Sequence, residues 1–134
     1  MPDNSRVNAT YTKEISSRGP TFSIRKFTFE PYSPVKLMHL KTASPEILAY
    51  LWLLIQYESS FMVIGSTGTG KTSLLNSLAF FIPPSARIVS IEDTRELNLI
   101  HENWLPSAAR EAVGVGDEGK FGEVNLFTLL KESF

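Results

Sequence analysis

The octapeptide Gly65-Ser66-Thr67-Gly68-Thr69-Gly70-Lys71-Thr72 constrains the fold most, because it fits G-x-x-x-x-G-K-[ST] at every fixed position. The apolar residues 61–64 before it predict a strand, and residues 71–80 after it predict a helix. Glycines adopt backbone angles that are closed to other residues, so consecutive N–H groups can turn inward and surround an anion. The positive end of the following helix favours the same anion. The pattern therefore predicts a phosphate-binding loop between a strand and a helix.

The end of this loop supplies two side chains with chemistry of their own. Lys71 supplies a mobile point charge for the β- and γ-phosphates of a nucleotide. Thr72 offers a hydroxyl to Mg²⁺, which bridges phosphate oxygens. The residues predicted to bind ATP and Mg²⁺ are Gly65, Ser66, Thr67, Gly68, Thr69, Gly70, Lys71, Thr72 and Ser73.

A second apolar stretch, residues 87–91, is rich in β-branched residues and predicts another strand. With the strand at 61–64 and the helix at 71–80 it predicts a βαβ unit, whose strands are parallel. Glu92 and Asp93 follow directly, and ligands of an open parallel sheet sit beyond the carboxyl ends of its strands. A carboxylate there can orient the attacking water, accept its proton or hold a metal-bound water. A solvated acidic pair that opens a loop is the alternative.

Two stretches near the N-terminus, residues 7–11 and 22–24, alternate apolar and polar side chains and predict strands with one buried face. Arg6 and Arg25 are out of phase with the apolar positions, so they belong to the opposite face. If the strands pair, the two guanidinium groups can converge on an anion. Strand arginines that contact only water are the alternative.

The middle of the chain predicts a linker followed by a helix. Residues 30–41 contain two prolines and no clean period, which is typical of a linker. Ser44, Pro45 and Glu46 form a helix start, with a capping hydroxyl, a proline and an acid in the first turn. Apolar residues then wrap most of the circumference of residues 45–57, which predicts a largely buried helix.

The C-terminal third predicts one more helix, over residues 126–134, and one misleading motif. Residues 114–119 spell G-x-G-x-x-G, a pattern of dinucleotide-binding loops. No strand is predicted before it, and Asp117 and Glu118 would repel a pyrophosphate. We therefore expect a flexible loop there.

Composition narrows the classes of protein further. The 134 residues include no cysteine, which excludes a disulfide framework and a cysteine-ligated zinc site. A net charge of −1 and a sequence pI near 6.1 argue against a nucleic-acid-binding surface, which is expected to be basic. No apolar run approaches the roughly 20 residues that span a bilayer. His39 and His101 lack the spacing of metal ligands, so we expect structural roles for both.

With these residues assembled, the chain resembles the secretion and type IV filament ATPase superfamily, which includes type II and type IV secretion ATPases and the pilus and archaellum motors. Within it the chain is most similar to the archaeal secretion ATPases. Three blocks carry the resemblance: residues 5–9 with 19–27, the phosphate loop, and residues 91–99 with Asn103 and Trp104.

The resemblance implies an α/β fold: an incomplete P-loop NTPase core of the RecA-like type, preceded by the end of a small α+β N-terminal domain. Residues 1–28 then belong to the domain that lids the nucleotide, residues 29–43 are a linker, and residues 44–134 begin the ATPase domain. Residues 91–96 match the family's Asp box, in which Glu92 activates water. Arg6 and Arg25 match phosphate-contacting arginines, and Lys71 completes the implied catalytic set.

The resemblance also implies partners and a cellular location. Members form hexameric rings at the cytoplasmic face of the membrane, contact an inner-membrane platform protein, and use ATP and Mg²⁺ to drive protein export or filament assembly. No nucleic acid is expected as a partner. The alternatives are a fragment of a nucleic-acid translocase or helicase on the same RecA-like fold, and a nucleotide-binding module without turnover.

The chain departs from the family in lacking the Walker B strand and the His box, so we expect a fragment. Phosphoryl transfer depends on positioning and charge stabilisation, and Mg²⁺ needs a second acidic strand end beside Thr72. We therefore expect the 134-residue chain to hydrolyse no appreciable ATP, measured as phosphate release, and to form no hexamer in sedimentation. Turnover of about 1 s⁻¹ or faster by a well-folded hexamer would contradict this expectation.

Overall fold

The computed structural model describes residues 5–14, 17–27, 30–112, 114–116 and 119–133. These residues form a mixed α/β structure whose strands make three two-stranded sheets. The α/β class predicted from the sequence is therefore confirmed.

The N-terminal sheet is an antiparallel pair of strands, β1 (Arg6–Thr10) and β2 (Thr21–Arg25). Its register places Arg6 directly opposite Arg25. The two arginines therefore lie on one face of the sheet, as the alternation predicted for paired strands. The predicted burial of the apolar face is wrong, since Phe22 is 76% exposed. A two-stranded sheet is too small to enclose a core of its own.

The segment predicted as a linker contains a short helix, α1 (Pro34–His39). The Ser33 hydroxyl accepts a hydrogen bond from the Lys36 amide at 3.2 Å, and Pro34 occupies the first turn. Leu37 is buried, and α1 contacts the helix that follows the glycine loop. The predicted domain boundary between residues 28 and 29 lies outside the described residues.

The next helix, α2 (Pro45–Gln56), begins where the sequence predicts and ends one residue earlier. The Ser44 hydroxyl accepts from the Ile47 amide at 3.4 Å. The Ser44 hydroxyl and the backbone amide of Glu46 also donate to the Glu46 carboxylate and lower its pKa. The prediction of a largely buried helix is wrong: Leu48 is buried, but Trp52 is 50% exposed.

Residues 61–64 form neither a helix nor a strand and lead into the glycine loop, which we define as Gly65–Thr72. The loop leads into α3 (Lys71–Ala79), one residue shorter than predicted. The predicted strand at 61–64 is wrong, because this segment has no ladder partner among the described residues. A backbone segment becomes a strand only when a neighbour takes up its hydrogen bonds.

The predicted strand at 87–91 is present as β3 (Ile88–Glu92), and it pairs with β4 (Trp104–Ala108) in parallel. The predicted βαβ unit is therefore wrong, because β3 pairs with a strand later in the chain and not with a strand at residues 61–64. Residues 93–103 connect the two strands without a helix. Register pairs Glu92, at the carboxyl end of β3, with Ala108.

The glycine-rich segment predicted as a flexible loop contains two strands that pair antiparallel, β5 (Gly114–Gly116) and β6 (Gly119–Phe121). Asp117 and Glu118 lie outside the described residues. The last helix, α4 (Leu126–Glu132), contacts β3 and β4. Its N-terminus is capped by Asn125, whose side-chain oxygen accepts a hydrogen bond from the Thr128 amide at 2.8 Å. The final residue of the helix predicted at 126–134 lies outside the described residues.

Four apolar side chains of the described residues are buried: Leu37, Leu48, Leu78 and Ala79. They belong to α1, α2 and the end of α3, and α1 contacts α3. Within the described part of the chain, no helix has both the length and the apolar character needed to cross a membrane.

Two leucines of α2 provide a matched test of this core. Leu48 is 4% exposed and Leu53 is 56% exposed. We expect Leu48→Ala to lower the free energy of unfolding by about 2–4 kcal/mol, because it leaves a cavity. Leu53→Ala makes the same chemical change in the same helix and should cost no more than about 0.5 kcal/mol. Urea denaturation measures both, and equal effects would contradict the burial of Leu48.

Candidate functional site

A cavity of about 580 Å³ lies between the glycine loop and the N-terminal sheet. The loop and the first turns of α3 supply one wall, and β2, the chain after it and the segment after β3 supply the others. Its volume falls in the range of small-molecule sites. The wall from the loop and α3 consists of Thr67, Gly68, Gly70, Lys71, Thr72, Ser73 and Asn76.

The glycine loop enters α3 through left-handed backbone. Gly68 has φ of 80° and Gly70 has φ of 88°, a region that L side chains rarely adopt. Gly70 is the N-cap of α3, and it makes no side-chain hydrogen bond to the first amides of the helix. Since those amides have no partner within the helix, the first turn can donate to a ligand in the cavity.

The loop closes on the carbonyl oxygen of Ser66. The Thr69 hydroxyl donates to this oxygen at 2.8 Å, and the Lys71 ammonium group donates to it at 2.6 Å. A Cβ atom at Gly65 would lie 2.6 Å from the Thr69 hydroxyl, so only glycine leaves room for this turn. The Lys71 charge is thereby held over the loop.

Thr72 connects the loop to two other parts of the chain through one carboxylate. Its hydroxyl donates to Glu96 Oε2 at 2.9 Å. The other oxygen, Glu96 Oε1, lies 2.6 Å from an Arg25 guanidinium nitrogen. Glu96 therefore bridges the first turn of α3 and the last residue of β2.

Glu92, predicted to activate water, lies at the end of β3 and holds the segment that follows it. Its Oε2 accepts from the backbone amides of Glu96 and Leu97, each at 2.8 Å. Its Oε1 is buried and accepts no hydrogen bond from the described residues. Glu92 is not among the described residues that line the first cavity, and Asp93 lines a second, more open cavity of about 880 Å³.

Arg6 and Arg25 both line the cavity, as the pairing of their strands predicts. Arg6 also donates to the Thr94 hydroxyl in the segment after β3. Among the described residues, the charged side chains that line the cavity are five cations and one carboxylate, so the electrostatic potential there is positive. The cations are Arg6, Arg25, Lys26, Lys71 and Arg95, and the carboxylate is Glu96.

Aromatic and apolar side chains complete the wall on the side of the predicted linker: Phe27, Pro31 and Tyr32. The Tyr32 carbonyl oxygen accepts from the Ser77 hydroxyl, and Ser77 is fully buried in α3. This contact fixes the linker against the helix that follows the glycine loop.

The sequence alone did not single out three contributors to this site: Glu96, Thr94 and Tyr32. Glu96 lies four residues after Glu92, and this short acidic spacing after a strand was the available signal. Thr94 and Glu96 both lie in residues 91–96, which resemble the family's Asp box, but the sequence assigned neither a contact. The role of Tyr32 depends on a long-range contact, so no local pattern indicates it.

Histidine contributes nothing to the cavity wall. The ring of His101 contacts the Ile82 carbonyl oxygen at 3.0 Å, in agreement with the structural role predicted for it. No group of three or more His, Asp or Glu residues that could hold a metal ion occurs in the described ranges.

Residues 1–113 match the family model described as type II/IV secretion system protein. The chain belongs to this family. The resemblance to the secretion ATPase superfamily, predicted from the three sequence blocks, is confirmed.

Individual relatives are similar to this chain over different shares of its length. An uncharacterized protein of Methanocaldococcus jannaschii is 42% identical over 131 residues, which is 98% of this chain and 23% of the relative. A second uncharacterized protein of that organism is 50% identical over 98 residues, 73% of this chain and 35% of the relative. The type IV secretion system protein PtlH of Bordetella pertussis is 52% identical over 82 residues, 61% of this chain and 23% of the relative.

Among solved structures, the chain is similar to the VirB11 ATPase from the Brucella suis type IV secretion system in complex with sulphate. Sequence identity is 23%, the TM-score is 0.44, and the match covers 81% of this chain and 40% of that one. The chain thus spans well under two thirds of the length of the relatives that it matches.

Gly70 provides a test of the loop backbone that is independent of any ligand. A Cβ atom built at Gly70 has no neighbour within 4 Å, so a substitution there is strained only by φ of 88°. We expect Gly70→Ala to lower the free energy of unfolding by about 1–2 kcal/mol. Gly70→Asn should cost less, because asparagine adopts left-handed backbone more readily. Equal losses in chemical denaturation would show that strain at this φ is not the cause.

Proposed function

We propose that this chain binds ATP and Mg²⁺ in the cavity and is the nucleotide-binding part of a motor ATPase of secretion or filament-assembly systems. One observation carries the proposal: the glycine loop and the arginine pair of the N-terminal sheet, 40 or more residues apart in sequence, face one cavity. Membership of the type II/IV secretion system protein family supports it.

The described residues fit the triphosphate of a nucleotide. Left-handed Gly68 and Gly70 free the loop amides for phosphate oxygens, and the N-terminus of α3 adds favourable potential. Lys71 and the two arginines supply the charge that a triphosphate needs. The loop, from Gly65 to Thr72, and Ser73 are therefore the proposed nucleotide-binding residues. Phe27 and Tyr32 are suited to the base, because they add aromatic surface at the same wall.

The same site fits Mg²⁺ and an attacking water. ATP and Mg²⁺, when bound, supply the transferable phosphoryl group and the divalent charge that neutralises its oxygens. Thr72 would hold the cation through its hydroxyl, and of the two acids predicted to hold it through water we propose Glu92, because Asp93 lines the second cavity. The free lone pairs of the buried Glu92 Oε1 fit a water whose proton that carboxylate accepts. Lys71, Arg6 and Arg25 would stabilise the charge that develops on the phosphoryl oxygens.

The proposal extends to the organisation of the chain and its partners. Residues 1–28 would cover the nucleotide as part of a lid domain, and residues 29–43 would link that domain to the ATPase domain. Residues 44–134 would form the first part of this RecA-like P-loop core. We propose by analogy with the family that the complete protein self-associates into a hexameric ring and docks on an inner-membrane platform protein at the cytoplasmic face of the membrane; membership of the family supports this. Hydrolysis would then power protein export or filament assembly.

Lys71→Ala tests the nucleotide site directly. We expect the variant to lose measurable affinity for ADP in isothermal titration calorimetry, since Lys71 is the cation held over the glycine loop. Lys131→Ala is the matched control, because Lys131 lies on α4 and contacts the Phe127 ring instead. The control should bind ADP like the unaltered chain.

Two results would contradict the proposal. One is an unaltered chain that is folded by circular dichroism yet binds no ADP with Mg²⁺ present. The other is equal ADP affinity in Lys71→Ala and Lys131→Ala, which would remove the loop lysine from the site.

A further inference from the structure

We infer that α2 presents a docking surface for a helix of another protein, one that is apolar along one side and carries a lysine or arginine at each end. The surface is the α2 face, which we define as Ile47, Tyr50, Leu53 and Tyr57. None of these residues lines the nucleotide cavity, so the inference does not depend on the proposed function.

The α2 face is one continuous apolar stripe. Its four side chains follow one another at intervals of three, three and four residues, which places them on the same side of a helix. Each of them is between 54% and 81% exposed. A contiguous apolar stripe of this kind marks a place where another molecule binds, whereas single exposed apolar residues are ordinary.

The opposite side of α2 is anchored to the rest of the chain. Leu48 is buried, and the Trp52 ring stacks on Phe81 with the ring centroids 6.0 Å apart. One turn later, the Gln56 side chain donates to the Phe81 carbonyl oxygen at 2.7 Å. Since these contacts fix the helix from the other side, a partner meets a face that is already ordered, and binding costs less conformational entropy.

The charges around the α2 face select the kind of partner. Glu46 lies in the first turn of α2, and Glu58 follows directly after Tyr57. Residues 42–70 contain no lysine, arginine or histidine, so no basic side chain offsets the negative end of the helix. The Ser44 hydroxyl and the Glu46 backbone amide lower the pKa of Glu46, which keeps this carboxylate ionised at neutral pH. A partner helix with a cation at each end complements this surface.

The same charges argue against a second copy of the chain as the partner. Antiparallel packing of two α2 faces would bring Glu46 of one copy toward Glu58 of the other, and parallel packing would bring each glutamate toward its counterpart. Size argues the same way. A covered tyrosine buries about 150–250 Å², so the whole face offers on the order of 400–500 Å², below the roughly 800 Å² per partner of a stable interface. It suits a weak contact with a single helix.

A lipid surface is also a poor match for the α2 face. Helices that lie on membranes are rich in lysine and arginine, which anionic headgroups attract. The α2 face has a glutamate at each end instead, and an anionic headgroup would be repelled there. Apolar side chains between two carboxylates therefore favour a basic amphipathic helix of a protein.

Two labelled peptides of about 18 residues, or roughly five helical turns, test the inference by fluorescence anisotropy. Both carry leucines that form one apolar stripe. The lysine peptide has lysine in its first and last turns, and the glutamate peptide has glutamate there. We expect the lysine peptide to bind with a dissociation constant of about 10–100 µM, as for a small transient contact. The glutamate peptide should bind at least about 10-fold more weakly.

Tyr50→Lys places a cation near the centre of the α2 face and should weaken binding of the lysine peptide by about 10-fold or more. Tyr11→Lys makes the same change at an exposed tyrosine after β1, and this matched control should bind like the unaltered chain. Lys71→Ala should also bind the lysine peptide normally, so the peptide and ADP experiments can fail independently. Circular dichroism verifies that each variant is folded.

A charge reversal tests the two glutamates. Glu46→Lys combined with Glu58→Lys should reverse the preference, so that the glutamate peptide binds more tightly than the lysine peptide. Glu102→Lys combined with Glu132→Lys changes the net charge equally at two exposed positions elsewhere and should keep the preference for the lysine peptide. If the first pair fails to fold, Glu58→Lys alone, outside α2, should weaken binding of the lysine peptide by roughly 2–5-fold.

Several results would overturn the inference. A folded, unaltered chain that binds no lysine peptide would do so, as would equal affinity for the two peptides or equal affinity in Tyr50→Lys and Tyr11→Lys. Dimerisation in sedimentation that Tyr50→Lys alone abolishes would make a second copy the partner. Flotation with phosphatidylcholine vesicles that the same variant abolishes would make a lipid surface the partner. Either of the last two results would also reject a protein helix as the occupant.

Discussion

The left-handed backbone at Gly68 and Gly70 is the constraint on which the candidate site depends. It turns the chain into α3 without a capping side chain, so the N–H groups of the first helical residues can donate to a ligand in the cavity. It also positions Lys71 over the Ser66 carbonyl, where its charge is fixed. Any other residue at these two glycines would carry a conformational penalty with no contact to offset it.

Hydrogen bonds and an ion pair of two carboxylates connect the N-terminal sheet to the glycine loop. Glu92 ends β3 and binds the amides of the segment that follows, and Glu96 in that segment binds both Thr72 and Arg25. The N-terminal sheet has few other ways to be held near α3, because Val7 and Ile24 are each 49% exposed. Polar contacts rather than apolar burial thus bring the arginine pair to the glycine loop.

What could be predicted from the sequence was local. The glycine loop, the start of α2 at Ser44 and the shared face of Arg6 and Arg25 follow from residue type, capping and alternation over a few positions. The strand expected at 61–64 failed because strand formation depends on a partner, and periodicity does not say which partner is present.

The exposure of α2 and the contacts of Glu96 could not be predicted for a related reason. Apolar residues around a helix indicate what it is able to bury, but covering it requires another element, and Trp52 stays half exposed. Glu96 is 24 residues from Thr72, and its contact with Thr72 is created only by the fold.

The charge of the cavity limits the kind of ligand that it can bind. Five cations around one carboxylate repel one another, and an exposed ion pair offsets little of that cost. A positive cavity of this kind favours an anionic ligand, in agreement with the triphosphate proposed for the site.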